Sequence, residues 1–164
     1  MGSKCKNLLK DFWFVPVTVL IISGILISGF RLCFTIGESM VPTLSNREPL
    51  LLSTHEKTPE RYDIIVFKKD SGESLIKRVI GLPGEKIQIK DNTIYINDSP
   101  IEDAVDVEMR DYGYLKDPIV LGENEYFAMG DNRNFSSDCR AFGPITQDQI
   151  VGTVICRLPS FEIL

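Results

Sequence analysis

The sequence predicts a mainly β fold, an antiparallel and partly barrel-like β-sheet domain behind a single N-terminal transmembrane helix. Three features lead there. Phe12 to Phe30 is an apolar run without a charged residue, several short segments further on alternate apolar and polar residues, and Gly, Pro and Asn/Asp punctuate those segments. The apolar run as a helix would reach about 28 Å, close to the hydrocarbon thickness of a bilayer.

Lys4, Lys6 and Lys10 precede the run, so basic residues hold the short tail in the cytoplasm and the large C-terminal part is exported. A cleaved secretory signal also starts with basic residues, but its apolar core of about 7 to 15 residues is shorter than this one. Pro16 falls near the helix start, where a missing amide proton does least harm. The chain divides into a cytoplasmic tail at 1–11, a transmembrane helix at 12–32 and one extracytoplasmic domain at 33–164. The expected place is the cell membrane, single-pass, with the N-terminus inside.

Strands are expected at Asp63 to Phe67, Leu75 to Ile80, Lys86 to Lys90, Thr93 to Ile96, Glu125 to Met129 and Val151 to Leu158. Asp91-Asn92 is placed as a hairpin turn between two alternating runs. Asp98 to Asp111 carries six acids and reads as a solvated surface excursion.

A net charge of −5 and 43% hydrophobic residues suit one folded domain. Basic residues beyond the apolar run are scattered among acids, which gives no support to nucleic-acid binding. Cys139 and Cys156 lie well inside the exported part and could pair in an oxidising compartment. No Cys-x-x-Cys is present and His55 is the only histidine, so neither a metal site nor a cofactor is expected. His55 also sits in a polar stretch, Ser53 to Lys57, that reads as an exposed loop. A serine–histidine–aspartate arrangement would need it, so a serine enzyme here must take its base from elsewhere.

Lysine is the available base, provided that desolvation lowers its pKa from about 10.4. Lys77 lies in the strand-like run Leu75 to Ile80, where a two-residue period gives it the face of Leu75 and Val79, with Arg78 on the other. An ordinary lysine lying over a β-surface would show the same local pattern. The matching hydroxyl is Ser39, in Gly37-Glu38-Ser39-Met40-Val41-Pro42-Thr43-Leu44. Gly37 permits a tight turn, and the Ser39 amide is then free to face a developing oxyanion. Gly-x-Ser alone is also an ordinary turn, whereas the full string is far more specific.

With Ser-Met-x-Pro-Thr-Leu at Ser39 to Leu44, Arg61 to Phe67, Lys77 to Gly84 and Gly130 to Arg140 in this order, the chain resembles a bacterial type I signal peptidase, in its small Gram-positive-like form. The resemblance covers nearly the whole sequence. It implies a membrane-bound serine endopeptidase that removes N-terminal signal peptides after Ala-x-Ala-type sites. Ser39 would be the nucleophile and Lys77 the general base, with Ser136 hydrogen-bonded to the lysine amine. Arg78, Asp131, Asp138 and Arg140 match supporting ion pairs. Met40, Leu44 and Ile76 match the walls of shallow apolar pockets for small side chains, and the substrate would bind as an added β-strand. The implied partners are secreted preproteins and the lipid bilayer, near the export machinery.

Three positions depart from the commonest family pattern. Gly37 lacks a serine hydroxyl that assists the oxyanion hole in some members, Cys139 stands where serine is commoner, and Asn134 where aspartate is. The alternatives are a substrate-dedicated processing peptidase, for example one acting on pilus components, a LexA-like self-cleaving protease, disfavoured by the apolar run, and a membrane-anchored binding module without catalysis. Asn97-Asp98-Ser99 and Asn134-Phe135-Ser136 fit a glycosylation sequon and are given no function.

Overall fold

The computed structural model describes residues 14–27, 29–55, 57–109, 115, 117–158 and 162–163. Helix α1 covers Phe14–Ile27, and its apolar side chains at 14, 15, 17 and 19 to 21 stand exposed. It does not continue to residue 32 as the sequence suggested. Gly29 takes a left-handed φ of 73°, and its carbonyl accepts bonds from the Thr54 amide and hydroxyl. A Cβ there would lie 2.5 Å from the His55 ring, so only glycine fits this exit.

The chain then enters strand β1, Phe30–Phe34, antiparallel to β2, Pro49–Ser53. The folded domain therefore starts about three residues before the boundary placed at 33. Composition alone does not separate the end of an apolar helix from the start of a mostly apolar edge strand, which is why Phe30, Arg31 and Leu32 read as helix. The 14 residues of α1 extend about 21 Å at 1.5 Å per residue. Among the described residues no helix is long and apolar enough to cross a membrane; Phe12, Trp13 and the basic tail lie outside them.

The remaining strands are β3 Ile64–Lys68, β4 Ser74–Gly81, β5 Lys86–Lys90, β6 Thr93–Ile96, β7 Ser99–Ile101, β8 Ile119–Val120, β9 Glu125–Met129, β10 Ile145–Thr146, β11 Ile150–Arg157 and β12 Glu162–Ile163. All six predicted strands are present within a residue of their expected ends. The main sheet runs β1-β2-β11-β3-β4-β9-β10 with β12 on β11, and a second sheet runs β7-β6-β5-β8. All pairings are antiparallel. Irregularities between Ile150 and Gly152, Val154 and Cys156, and Val79 and Gly81 bend the main sheet into a curled half-barrel.

Asp91 and Asn92 take φ of 48° and 59°, the left-handed pair that a two-residue hairpin requires. Strand β3 feeds two cores by simple alternation. Ile65 and Phe67 join Val79, Ile80, Ile87 and Ile89 between the sheets, whereas Ile64 and Val66 join Met40, Leu44, Leu50 and Val154. Full burial of one such side chain stabilises the fold by about 1.5–3 kcal/mol.

The acidic excursion is not wholly solvated. Val105 and Met109 are buried, and Asp103 forms a two-pronged ion pair with the buried Arg133 guanidinium. Charge counting missed this because the partner lies 30 residues away.

Candidate active site

Two anchors set the loop between β1 and β2. Met40 and Leu44 are buried and close a helical turn through Leu44 N donating to Met40 O at 2.9 Å. Gly37, at φ 94°, donates its amide to Asn46 Oδ1. These constraints hold Ser39, between them, at the sheet surface. The Val41–Pro42 peptide is cis.

Lys77 reaches that serine from the middle of β4, opposite Ile65 of β3. Its Nζ donates to Ser39 Oγ at 2.6 Å. The side chain lies between Leu75 and Val79, both on the apolar core, as the two-residue period predicts. Only 2% of Lys77 is exposed. Burial pushes its pKa below the ordinary lysine value, against the opposing pull of Asp138, Cys139, Glu73 and Asp131.

The supporting groups fall into two clusters. Arg78 points away from Lys77 and forks onto Asp131, with Nε to Oδ1 at 2.9 Å and Nη2 to Oδ2 at 2.6 Å. Arg140 forks onto Asp138 at 2.8 Å through both Nε and Nη2. Asp138 also caps the short helix α2, Cys139–Phe142, and accepts the Gly130 amide at 3.0 Å. Burial alone would raise the Asp138 carboxyl, but the Arg140 and Gly130 bonds bring it below the ordinary carboxylate value.

Ser136 departs from expectation. Its hydroxyl is buried and closes no hydrogen bond of ordinary geometry, to Lys77 or to any other described group. It lies close enough to Asp138 to favour that carboxylate's ionised form. The family pattern supplied the residue, and its hydroxyl here lies beside the Asp138 carboxylate instead of bonding the Lys77 amine.

Arg133 is the residue that sequence reasoning passed over. It is fully buried, donates to Gly130 O at 2.5 Å through Nη1 and accepts Arg140 Nη2 on its own carbonyl at 2.6 Å. It thus braces both ends of the loop from Gly130 to Arg140. An arginine this deeply buried must be paired, but burial is not visible in the sequence and its partner Asp103 shows no local motif.

A cavity of about 180 Å³ opens beside Ser39. Met40, Leu44 and Ile76, singled out from the sequence, line it together with Cys33, Phe34 and Val66. Cys33, Cys139 and Cys156 are free thiols, so Cys139 and Cys156 are not joined. Cys139 instead accepts the Ala128 amide at 3.2 Å, and burial pushes its thiol up to about 12. His55 takes no place at the site; its ring sits edge-on to Phe30, centroids 6.2 Å apart. No group of acids, cysteines and histidine among the described residues could hold a metal ion.

A curled β-scaffold that presents a desolvated amine to a serine hydroxyl beside a small apolar cavity has the make-up of a hydrolase. Residues 6–158 match the model of the signal peptidase, peptidase S26 family. The chain is 36% identical to signal peptidase I V of Bacillus subtilis over 88% of its own length and 96% of the relative's. It is 31% identical to signal peptidase IB of Staphylococcus aureus over 96% of its length and 92% of the relative's. A crystal structure of a signal peptidase I from Enterococcus faecalis aligns with 58% of this chain and 95% of that chain, at 30% identity and a TM-score of 0.47. The chain belongs to the signal peptidase S26 family and is an enzyme of that class.

Proposed function

We propose that this peptidase cuts exported preproteins after Ala-x-Ala-type sites, with Ser39 as nucleophile and Lys77 as general base. The observation that carries the reading is the 2.6 Å contact between Ser39 Oγ and the amine of a lysine that burial makes easier to deprotonate. A neutral Lys77 takes the Ser39 proton as Oγ attacks the carbonyl carbon of the scissile peptide. The resulting oxyanion faces backbone amides at Ser39, because Gly37 has no hydroxyl to offer. Lys77 returns its proton to the leaving amine, the C–N bond breaks and an acyl ester remains on Ser39. Water, deprotonated by the same amine, hydrolyses that ester and restores the serine.

The cavity beside Ser39 admits small side chains, which suits alanine at the −1 and −3 positions of an extended substrate. Arg78 with Asp131, and Arg140 with Asp138, position the dyad; Ser136 is the group that would orient the neutral amine after a rotation of its hydroxyl. The β-domain acts outside the cytoplasm, and the apolar segment that precedes β1 holds it to the bilayer near the export machinery. The uncharged run in the sequence and the exposed apolar side chains of α1 support this placement.

The direct test is cleavage of a preprotein by the full chain in detergent, beside folded Ser39→Ala and Lys77→Ala variants. Wild type is expected to cut after the second alanine, and each variant to lose at least about 10²- to 10⁴-fold. Equal cutting by a variant would remove that residue from the dyad. A folded wild type that binds without cutting would point to a binding module.

A further inference from the structure

The loop from Gly130 to Ser136 packs against the backbone of Ser39. Asn132 N donates to Ser39 O at 3.0 Å, and its Nδ2 donates to Glu38 O at 3.1 Å. A Cβ on Gly130 would come within 2.5 Å of the Ser39 carbonyl oxygen, so the two loops touch backbone to backbone. None of residues 130–136 lines the cavity, whose walls come from 33–37, 39–40, 44, 66 and 74–77. Ser39 therefore meets the cavity through one set of residues and this loop through another.

The loop turns back through Phe135 N donating to Asn132 O at 3.0 Å. That turn buries the Ser136 hydroxyl and sends the Phe135 ring outward, 71% exposed. This exposed aromatic ring stands one residue from the buried Ser136 hydroxyl, on a loop bonded to the nucleophile's own backbone, where it is available to a chain bound at Ser39.

We propose that Phe135 is a specificity-determining residue that packs against apolar side chains in the first three positions after the scissile bond. This rests on the reading that the cavity takes the residues before that bond. A chain with its −1 residue in the cavity has its following residues beyond Ser39, and the Asn132–Ser136 turn, bonded to the Ser39 and Glu38 carbonyls and absent from the cavity walls, is the surface assigned to them. At about 3.3 Å per extended residue, three residues advance about 10 Å, which covers that turn. The segment entering the mature protein, rather than the signal peptide, is the partner that fits.

The experiment uses the full chain in detergent micelles and peptides with a common Ala-x-Ala site, differing only at +1 to +3 between leucine and aspartate. Wild type is expected to prefer leucine at one of these positions by about five-fold in kcat/KM, the effect of one partly exposed aromatic contact. Phe135→Ala should erase that preference and Phe135→Leu keep part of it, with aspartate peptides cut at an unchanged rate. The same peptides are titrated onto Ser39→Ala, with and without Phe135→Ala, to read binding apart from cutting. Selective binding that depends on Phe135 would uphold the proposal even if wild type cut nothing, a result that would sink only the proposed chemistry. A uniform loss across all peptides would make Phe135 a prop for Ser136, and an unchanged preference would remove it from recognition; either overturns the proposal. So would a Phe135→Ala variant that differs from wild type only in binding to phosphatidylcholine–phosphatidylglycerol vesicles, and so would peptides that neither bind nor react.

Discussion

At the scale of single residues, the proposed mechanism makes activity depend on how far Lys77 can be kept uncharged. Burial favours the neutral amine, and Asp138 is the largest of the opposing charges. The free amine is the working form, so kcat/KM should rise with pH through a value below the ordinary 10.5 of lysine and then level off. Asp138→Asn removes a negative charge that stabilises the ammonium, so the rise should move to lower pH in a rate profile on a peptide substrate. A shift to higher pH would show that Asp138 acts on Lys77 by some route other than charge. Lys77→Arg should be inactive across the range, because a guanidinium does not surrender its proton. Cys139 illustrates the opposite use of burial: the same apolar surroundings that ready an amine push a thiol up to about 12 and leave it unreactive.

At the scale of elements, the site is a meeting of three pieces: the β1–β2 loop with Ser39, the centre of β4 with Lys77, and the loop after β9 with Asp131, Ser136 and Asp138. Gly130 is where the first and third come into contact, since a Cβ there would lie 2.1 Å from Ser136 Oγ and 2.5 Å from Ser39 O. Gly130→Ala should therefore push these loops apart. Activity should fall by about 10²-fold or more, the scale at which an ångström of misplacement acts, while the circular dichroism spectrum stays that of the wild type. Full activity would mean that the loops give way without moving the dyad. Strands β3 to β6, β9 and β11 were legible in the sequence because alternation is a local signal. The Lys77 face followed from the same period. Strands β7, β8, β10 and β12 are two or three residues long, too short to alternate, and β1 begins at the last residue of the apolar run, so its first residues read as a continuation of the helix. The Arg133–Asp103 pair and the placing of the Ser136 hydroxyl beside Asp138 are products of tertiary packing, on which neither spacing nor motif bears.

At the scale of the whole molecule, the sheet carries the chemistry and α1 stands apart from it. The core residues belong to the two sheets and the loops between them, whereas the described side chains of α1 are almost all exposed. The junction is one turn, held by Thr54 on the Gly29 carbonyl. Apolar exposure continues past that turn along β1, at Leu32 and Phe34 and on to Ile36, with exposures of 65%, 64% and 92%. Leu32 and Phe34 share a period of two and so one face of the edge strand β1, and Ile36 follows just beyond its end. Such a continuous apolar surface is stable only when something other than water covers it. If that cover is a bilayer, the helix serves to concentrate enzyme and substrate on one surface rather than to shape the dyad. Removing residues 1–28 should then leave cleavage of a short soluble peptide within about two-fold of the full chain, because Ser39, Lys77 and their supports lie on β4 and on loops carried by the sheets, all after residue 28. Processing of a preprotein held in vesicles should fall by about 10²-fold, the scale of a lost effective concentration. The two rates, measured side by side, separate tethering from folding. A parallel loss in both would mean that α1 stabilises the sheet edge at β1, and with it the loop that presents Ser39.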